Sequence, residues 1–265
     1  MPIFPTTSYL CGNGHSYDKA KEGYVNLLLA NQKRSKEPGD NKAMINARRA
    51  FLEQGFYQPL AERLTALILQ HTNSSSLNIF DAGCGEGYYL NVIKQGLKQQ
   101  QKEVIASGCD IAKIAIQKAA KKYKDSQFSV ASTFHLPLPN DTQNAVVQVF
   151  APSSEEEVHR VLQEDGIWLQ VNPASNHLHQ LKSFIYDSAQ SHEKHQQDIA
   201  GFEVLEDEEL TFNFDLGNAD STLNLLMMTP FYWSASEEKI QSIKNSLNTV
   251  TAHFHLRVLK KHATH

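Results

Sequence analysis

The chain predicts an α/β fold: a mostly parallel, seven-stranded sheet with helices on both faces, preceded by a small irregular N-terminal module. Three observations carry that expectation. From Leu77 onward, short apolar runs alternate with stretches of helical periodicity, as in a parallel sheet built by crossover connections. A glycine-rich turn, Gly83-Cys84-Gly85-Glu86-Gly87, stands between the first apolar run and the first helical pattern. The second apolar run ends in Asp110, 23 residues after Gly87, where a nucleotide-type βαβ unit places the carboxylate that holds ribose hydroxyls.

Taken in order, residues 1–40 lack periodicity and carry the turn formers Cys11-Gly12-Asn13-Gly14-His15 and Glu37-Pro38-Gly39-Asp40, so they read as the separate small module. Residues 41–76 read as a helical connector. There Ala47, Phe51, Leu60, Leu64, Leu67 and Ile68 recur at helical spacing between Lys42 and His71, with a break near Gly55. Residues 77–265 form the main domain. Its strands are expected at 77–81, 104–110, 127–131, 145–150 and 167–172, with another near 210–214 and a last one at 249–259. Helices are expected at 112–123, 155–162, 177–186 and near 221–228.

Composition narrows the function classes. A chain of 265 residues with 41% hydrophobic content supports a substantial core, and no apolar stretch approaches the roughly 20 residues of a membrane span. Met1-Pro2-Ile3-Phe4-Pro5 lacks the regions of a secretory signal, and three scattered cysteines outline no disulfide framework. A cytoplasmic protein is expected. The net charge is −4, yet residues 19–49 hold eight basic side chains against three acidic ones. Such a segment suits a polyanion held against one face, and equally an ordinary solvated helix face.

The glycine turn separates two cofactor classes. A dinucleotide fingerprint reads G-x-G-x-x-G; this chain reads G-x-G-x-G after Asp81. That spacing resembles motif I of the class I (Rossmann-like) S-adenosylmethionine (SAM) methyltransferases. Gly83, Gly85 and Gly87 are expected to frame the methionine moiety, with Asp81 at the strand end and Asp110 on the ribose.

A longer set of blocks narrows the resemblance. His15-Ser16-Tyr17-Asp18-Lys19-Ala20-Lys21-Glu22-Gly23-Tyr24-Val25-Asn26-Leu27-Leu28, then Lys33-Arg34-Ser35, Pro38-Gly39-Asp40 and Ala47-Arg48-Arg49-Ala50-Phe51-Leu52, are followed by the glycine turn, Phe150-Ala151-Pro152 and Met228-Thr229-Pro230-Phe231. In that order, across nearly the whole chain, they resemble the 23S rRNA (guanine-N1)-methyltransferases. The resemblance implies SAM as methyl donor, a guanine in a 23S rRNA hairpin as substrate, and cofactor contacts from Tyr57, Gly85, Glu86 and His177. It also makes Phe150, Ala151 and Pro152 the expected guanine pocket, with Phe150 placed to stack on a flipped base. Lys33, Arg34, Arg48 and Arg49 become candidate phosphate holders. The residues alone leave Tyr57 readable as core packing and Phe150 as a buried strand residue.

The family carries an N-terminal zinc module with two cysteine-type ligand pairs. Cys11 and His15 match the second pair, and Met1–Leu10 holds no cysteine to match the first. A structural zinc needs four protein ligands, so zinc is not expected and residues 1–40 read as a degenerate, zinc-ribbon-like RNA-binding module. The acceptor of the guanine proton is left open among His177, Asp81 and a water. Met227-Met228 and Phe231-Tyr232-Trp233 read as core and lid packing. Dimerisation is left open. A SAM-dependent methyltransferase of a small molecule and a non-catalytic rRNA-binding protein remain the alternatives.

Overall fold

The computed structural model describes residues 8–12, 14–28, 39–186 and 198–262. A short antiparallel hairpin, β1 (Ser8–Leu10) and β2 (Ser16–Asp18), opens the chain, with Tyr9 opposite Tyr17. A two-residue strand, β3 (Val25–Asn26), follows. The connector is two helices. The Asn41 side chain caps α1 (Lys42–Glu53) by accepting from the backbone N–H groups of Ala43 and Met44 at 2.9 and 3.0 Å. That helix stops at Gln54-Gly55, and α2 (Gln58–His71) begins with a proline in its first turn.

Beyond it come β4 (Ser76–Ala82), α3 (Tyr88–Gln99), β5 (Glu103–Asp110), α4 (Lys113–Lys122), β6 (Gln127–Val130), β7 (Gln143–Val149), α5 (Glu155–Val161) and β8 (Leu162–Pro173). The chain continues through α6 (His179–Ile185), β9 (Phe202–Asp215), α7 (Ala219–Met227), a 3-10 turn at Pro230–Ser234, α8 (Glu237–Ser246) and β10 (Thr249–Lys261). The strands form an eight-stranded sheet in the order β3-β6-β5-β4-β7-β8-β10-β9. Pairs from β3 to β8 are parallel, whereas β10 runs antiparallel between β8 and β9. The expected seven strands are present. The eighth is β3, which adds Val25 and Asn26 beside Ser129 and Val130 at the sheet edge; two residues are too few to leave a periodic signal.

Alternation along each strand splits the core between the two faces. Ile79, Val147, Leu169 and Phe254 pack on one side with Leu60, Leu64 and Ile68 of α2 and Ile93 and Leu97 of α3. Phe80, Val146, Trp168 and Leu259 pack on the other with Val158 and Val161 of α5. Helices cover both faces, but unevenly. The link from β6 to β7 forms no helix because Pro137 and Pro139 fall inside it. Helix α8 is an element the sequence reading missed. Its apolar stripe is thin, with Ile243 its one buried residue.

Candidate active site

The carboxyl ends of β4, β5 and β7 lie side by side, so the loops that leave them share one cleft. The turn after β4 is tied to its neighbour: Gly83 and Cys84 both donate backbone N–H bonds of 2.9 Å to the Cys109 carbonyl. Gly83 takes φ +87°, and a Cβ there would collide with the Ala151 methyl. Gly85 takes φ +54°, and a Cβ there would meet nothing within 4 Å. One glycine therefore lets two loops touch, and the other keeps space open at the cleft. Gly87 caps α3 and faces the rings of Tyr123 and Phe128, so it serves packing rather than the cleft lining.

Tyr57, Gly83, Gly85, Glu86, Asp110, Phe150, Ala151 and Pro152 line this cleft, of about 280 Å³. Asp110 Oδ2 accepts from the Gly85 N–H at 2.9 Å and Oδ1 from the Ala112 N–H at 2.7 Å. Burial raises its pKa, and those two N–H groups oppose the rise. Glu86 is 3% exposed; neither carboxylate oxygen has a hydrogen-bond partner, and Arg49 Nε stands 3.9 Å away. Burial pushes its pKa up to about 7. Asp81 is 1% exposed beneath the turn and outside the cleft lining, with Oδ2 unpartnered. Burial, then the charge of Asp110, pushes its pKa up to about 8.

The opposite wall is aromatic. Phe150, just past β7, is 42% exposed and adopts φ +55°, the left-handed region that a bulky side chain rarely enters. Its N–H donates to the Val171 carbonyl at 3.0 Å, and its ring lies 5.6 Å from that of Phe254 and 5.9 Å from that of His177. His177 is buried behind the cleft. Its Nδ1 accepts the His253 backbone N–H at 3.3 Å, so Nε2 carries the hydrogen and meets Tyr57 Oη at 3.5 Å. Tyr57 is 2% exposed, edge-on to Phe51 and Phe254. The site and packing readings of Tyr57 and Phe150 thus coincide in part: both rings pack in the aromatic cluster and both border the cleft.

The four expected phosphate holders do not form one group. Lys33 and Arg34 lie outside the described residues. Arg48 turns into the cleft, ion-paired with Asp40 and reaching the Met228 carbonyl at 3.5 Å. Arg49 points away from it, donating to Glu53 at 2.8 Å. The sequence reading missed Asp40 and Met228 as cleft residues. Asp40 stood in a quoted turn and Met228 in a block taken as packing, and nothing local shows that either folds back onto the glycine turn.

A methyl-donor nucleoside fits these residues. The cleft offers two buried, unpartnered carboxylate oxygens on Glu86 that call for donors, an acceptor at Asp110, and clear space over Gly85. A structural zinc does not fit Cys11 and His15 alone. Cys11 Sγ lies 3.3 Å from His15 Nδ1, and among the described residues no group of three or more His, Cys, Asp or Glu could hold a metal. Among those residues no helix is long and apolar enough to cross a membrane.

Comparisons with known proteins agree with this geometry. A family model described as "Methyltransferase domain" matches residues 73–212, and one described as "RlmA, N-terminal" matches residues 4–36. The Bacillus subtilis (strain 168) protein named "Putative 23S rRNA (guanine-N(1)-)-methyltransferase YxjB" is 31% identical over 238 residues, 87% of this chain and 82% of that protein. The Streptomyces fradiae 23S rRNA (guanine(748)-N(1))-methyltransferase is 32% identical over 173 residues, 64% of this chain and 59% of that one. A chain from the solved complex of the Haloferax volcanii Trm112 methyltransferase activator superposes with a TM-score of 0.52 at 16% identity, over 84% of this chain and 96% of that one. At that identity the likeness shows the fold alone.

Proposed function

The chain belongs to the 23S rRNA (guanine-N1)-methyltransferase family, and on that premise we propose that it moves a methyl group from SAM to N1 of a guanine in a 23S rRNA hairpin. One observation supports this reading above others: a single cleft joins the glycine turn and Asp110 to an exposed, left-handed Phe150 at the end of the adjacent strand. Donor and acceptor sites are thereby neighbours. When bound, SAM supplies an electrophilic methyl group on a sulfonium sulfur.

The chain's own residues then align and hold. Asp110 accepts from the ribose hydroxyls while fixing Gly85 through its N–H, and Glu86 receives donors from the amino-acid end. Phe150 stacks on the extruded guanine. His177 positions rather than catalyses: its acceptor nitrogen is occupied by the His253 N–H, and its other nitrogen faces Tyr57. Asp81 lies beneath the turn. With His177 engaged and Asp81 outside the cleft lining, the reading takes water as the acceptor of the N1 proton. Residues 1–40, matched in part by the RlmA N-terminal model, assist RNA docking; they are not a separate module, since β3 pairs into the main sheet and Asp40 lines the cleft.

Methyl transfer from labelled SAM to unmodified 23S rRNA, with the product nucleoside identified by mass spectrometry, tests the reading. N1-methylguanosine at one position supports it. Label appearing only in small metabolites overturns it in favour of a small-molecule methyltransferase. SAM binding without transfer to any rRNA overturns it in favour of a non-catalytic RNA-binding protein.

A further inference from the structure

One concentration of positive charge on the described surface lies outside the cleft and draws only in part on the basic segment singled out in the sequence. Six lysines and Arg49 line one open groove where α4, the start of α1 and the turn before β3 meet. Lys118, Lys121 and Lys122 come from α4, Lys124 follows it, Lys42 begins α1, and Lys21 comes from the N-terminal turn. Among the described residues three carboxylates lie near them, Glu53, Glu22 and, 3.9 Å from Arg49, Glu86. Glu53 is held by Arg49 at 2.8 Å and Lys122 at 2.6 Å, and Glu22 accepts from Gln117 at 3.0 Å. Among the described residues, the side chains of Lys42, Lys118 and Lys121 make no ion pair or hydrogen bond. A chain of net charge −4 thus keeps a cluster of unneutralised cations on one face.

We propose that this groove is a docking surface for the phosphate backbone of the rRNA substrate, outside the hairpin that enters the cleft. The inference rests on the rRNA-methyltransferase reading and adds a place where the RNA is held. Charge complementarity selects a polyanion. Lysines at i, i+3 and i, i+4 on one helix face stand about 5–6 Å apart at their Cβ atoms, so the cations form a track rather than one cradle for a single phosphate. Helix α1 connects the two sites: Arg48 lines the cleft, while the next residue, Arg49, lines the groove and stands 3.9 Å from the cleft's Glu86. RNA lying along α4 therefore runs beside the cofactor wall, and its phosphates set register without reading sequence.

The experiment compares the full chain with a Lys42→Gln/Lys118→Gln/Lys121→Gln variant, using an unmodified 23S rRNA transcript as the probe in binding titrations across salt concentrations. The slope of log affinity against log salt should fall by about 2, and affinity at about 0.1 M salt by about tenfold or more. SAM affinity and Tm should hold, and the matching Lys→Arg variant should retain the wild-type slope. Equal slopes and affinities for wild type and the Gln variant, with wild-type methyl transfer intact, overturn the docking surface alone. Wild type that neither binds nor methylates the transcript overturns the rRNA reading and the docking surface with it. Loss of binding to phosphatidylglycerol vesicles with rRNA binding unchanged assigns the groove to a lipid surface and overturns the proposal.

Discussion

On one side the cleft is lined by backbone and carboxylate: Gly83, Gly85, Glu86 and Asp110. On the other it is bordered by Tyr57 and Phe150, backed by His177 and Phe254. The aromatic wall is already satisfied. Its rings touch one another, and His177 has both nitrogens engaged. The polar wall is not. Glu86 keeps two buried oxygens without a hydrogen bond, and the pKa values of Glu86, Asp110 and Asp81 are all raised by burial. Unmet acceptors are costly without a donor, so the polar wall is built around something that arrives. The aromatic wall offers a preformed surface to a flat partner and asks for no hydrogen bond in return.

Substitutions can break that contrast, and the largest effect is expected where the walls touch. Gly83→Ala forces a methyl into Ala151 at a left-handed position; overpacking and strain together should cost about 2–4 kcal/mol. Denaturant unfolding checks this, and an unchanged midpoint would show that the two loops give way freely.

Asp110→Ala removes the acceptor of the Gly85 and Ala112 N–H groups along with the proposed ribose contact. SAM affinity by calorimetry should weaken about 10- to 100-fold, and wild-type affinity would remove Asp110 from the cofactor site.

Glu86→Gln tests whether the polar wall carries a stored cost. The folded pKa, about 7, lies above the ordinary value of 4.5. The group therefore imposes no penalty below about pH 4.5, and stability is lost as pH rises from about 4.5 to about 7. The ligand-free variant should match wild type at pH 4 and exceed it by about 3 kcal/mol at pH 8. Asp81, pushed up to about 8, keeps some of the slope in both proteins. Parallel Tm–pH curves would falsify the assignment of that cost to Glu86.

Phe150→Gly sharpens the other wall. Relief of the left-handed φ should leave stability equal or raise it by about 1 kcal/mol. Loss of the stacking ring should lower kcat/KM for rRNA about tenfold with SAM affinity unchanged. A variant that loses SAM affinity instead would make Phe150 part of the cofactor wall.

The two walls also differed in how far they could be read beforehand. The polar wall is local: Gly83, Gly85 and Glu86 lie in one turn, and Asp110 follows at a spacing that a βαβ unit requires. The aromatic wall is assembled from the turn before α2, the residue after β7, the loop after β8, and β10, whose residues are separated by up to about two hundred positions. Tyr57 and His177 entered it only through family resemblance, and Phe254 falls in the last expected strand without being singled out. Arg48 and Arg49 show the limit most clearly. Neighbours in a basic stretch, they were read as one phosphate cluster, yet helical rotation of 100° per residue sends Arg48 to Asp40 in the cleft and Arg49 to Glu53 outside it.

The sequence by itself determined the parallel half of the sheet, the glycine turn that lines the cleft and the acid at the second strand's end. These depend on apolar periodicity, glycine and short spacing, which act over a few residues. Tertiary structure alone decided which acids lie dry, which arginine enters the cleft and which lysines gather into a track. Burial, charge pairing and surface clustering depend on residues distant in the chain that meet only when the sheet and its helices have packed.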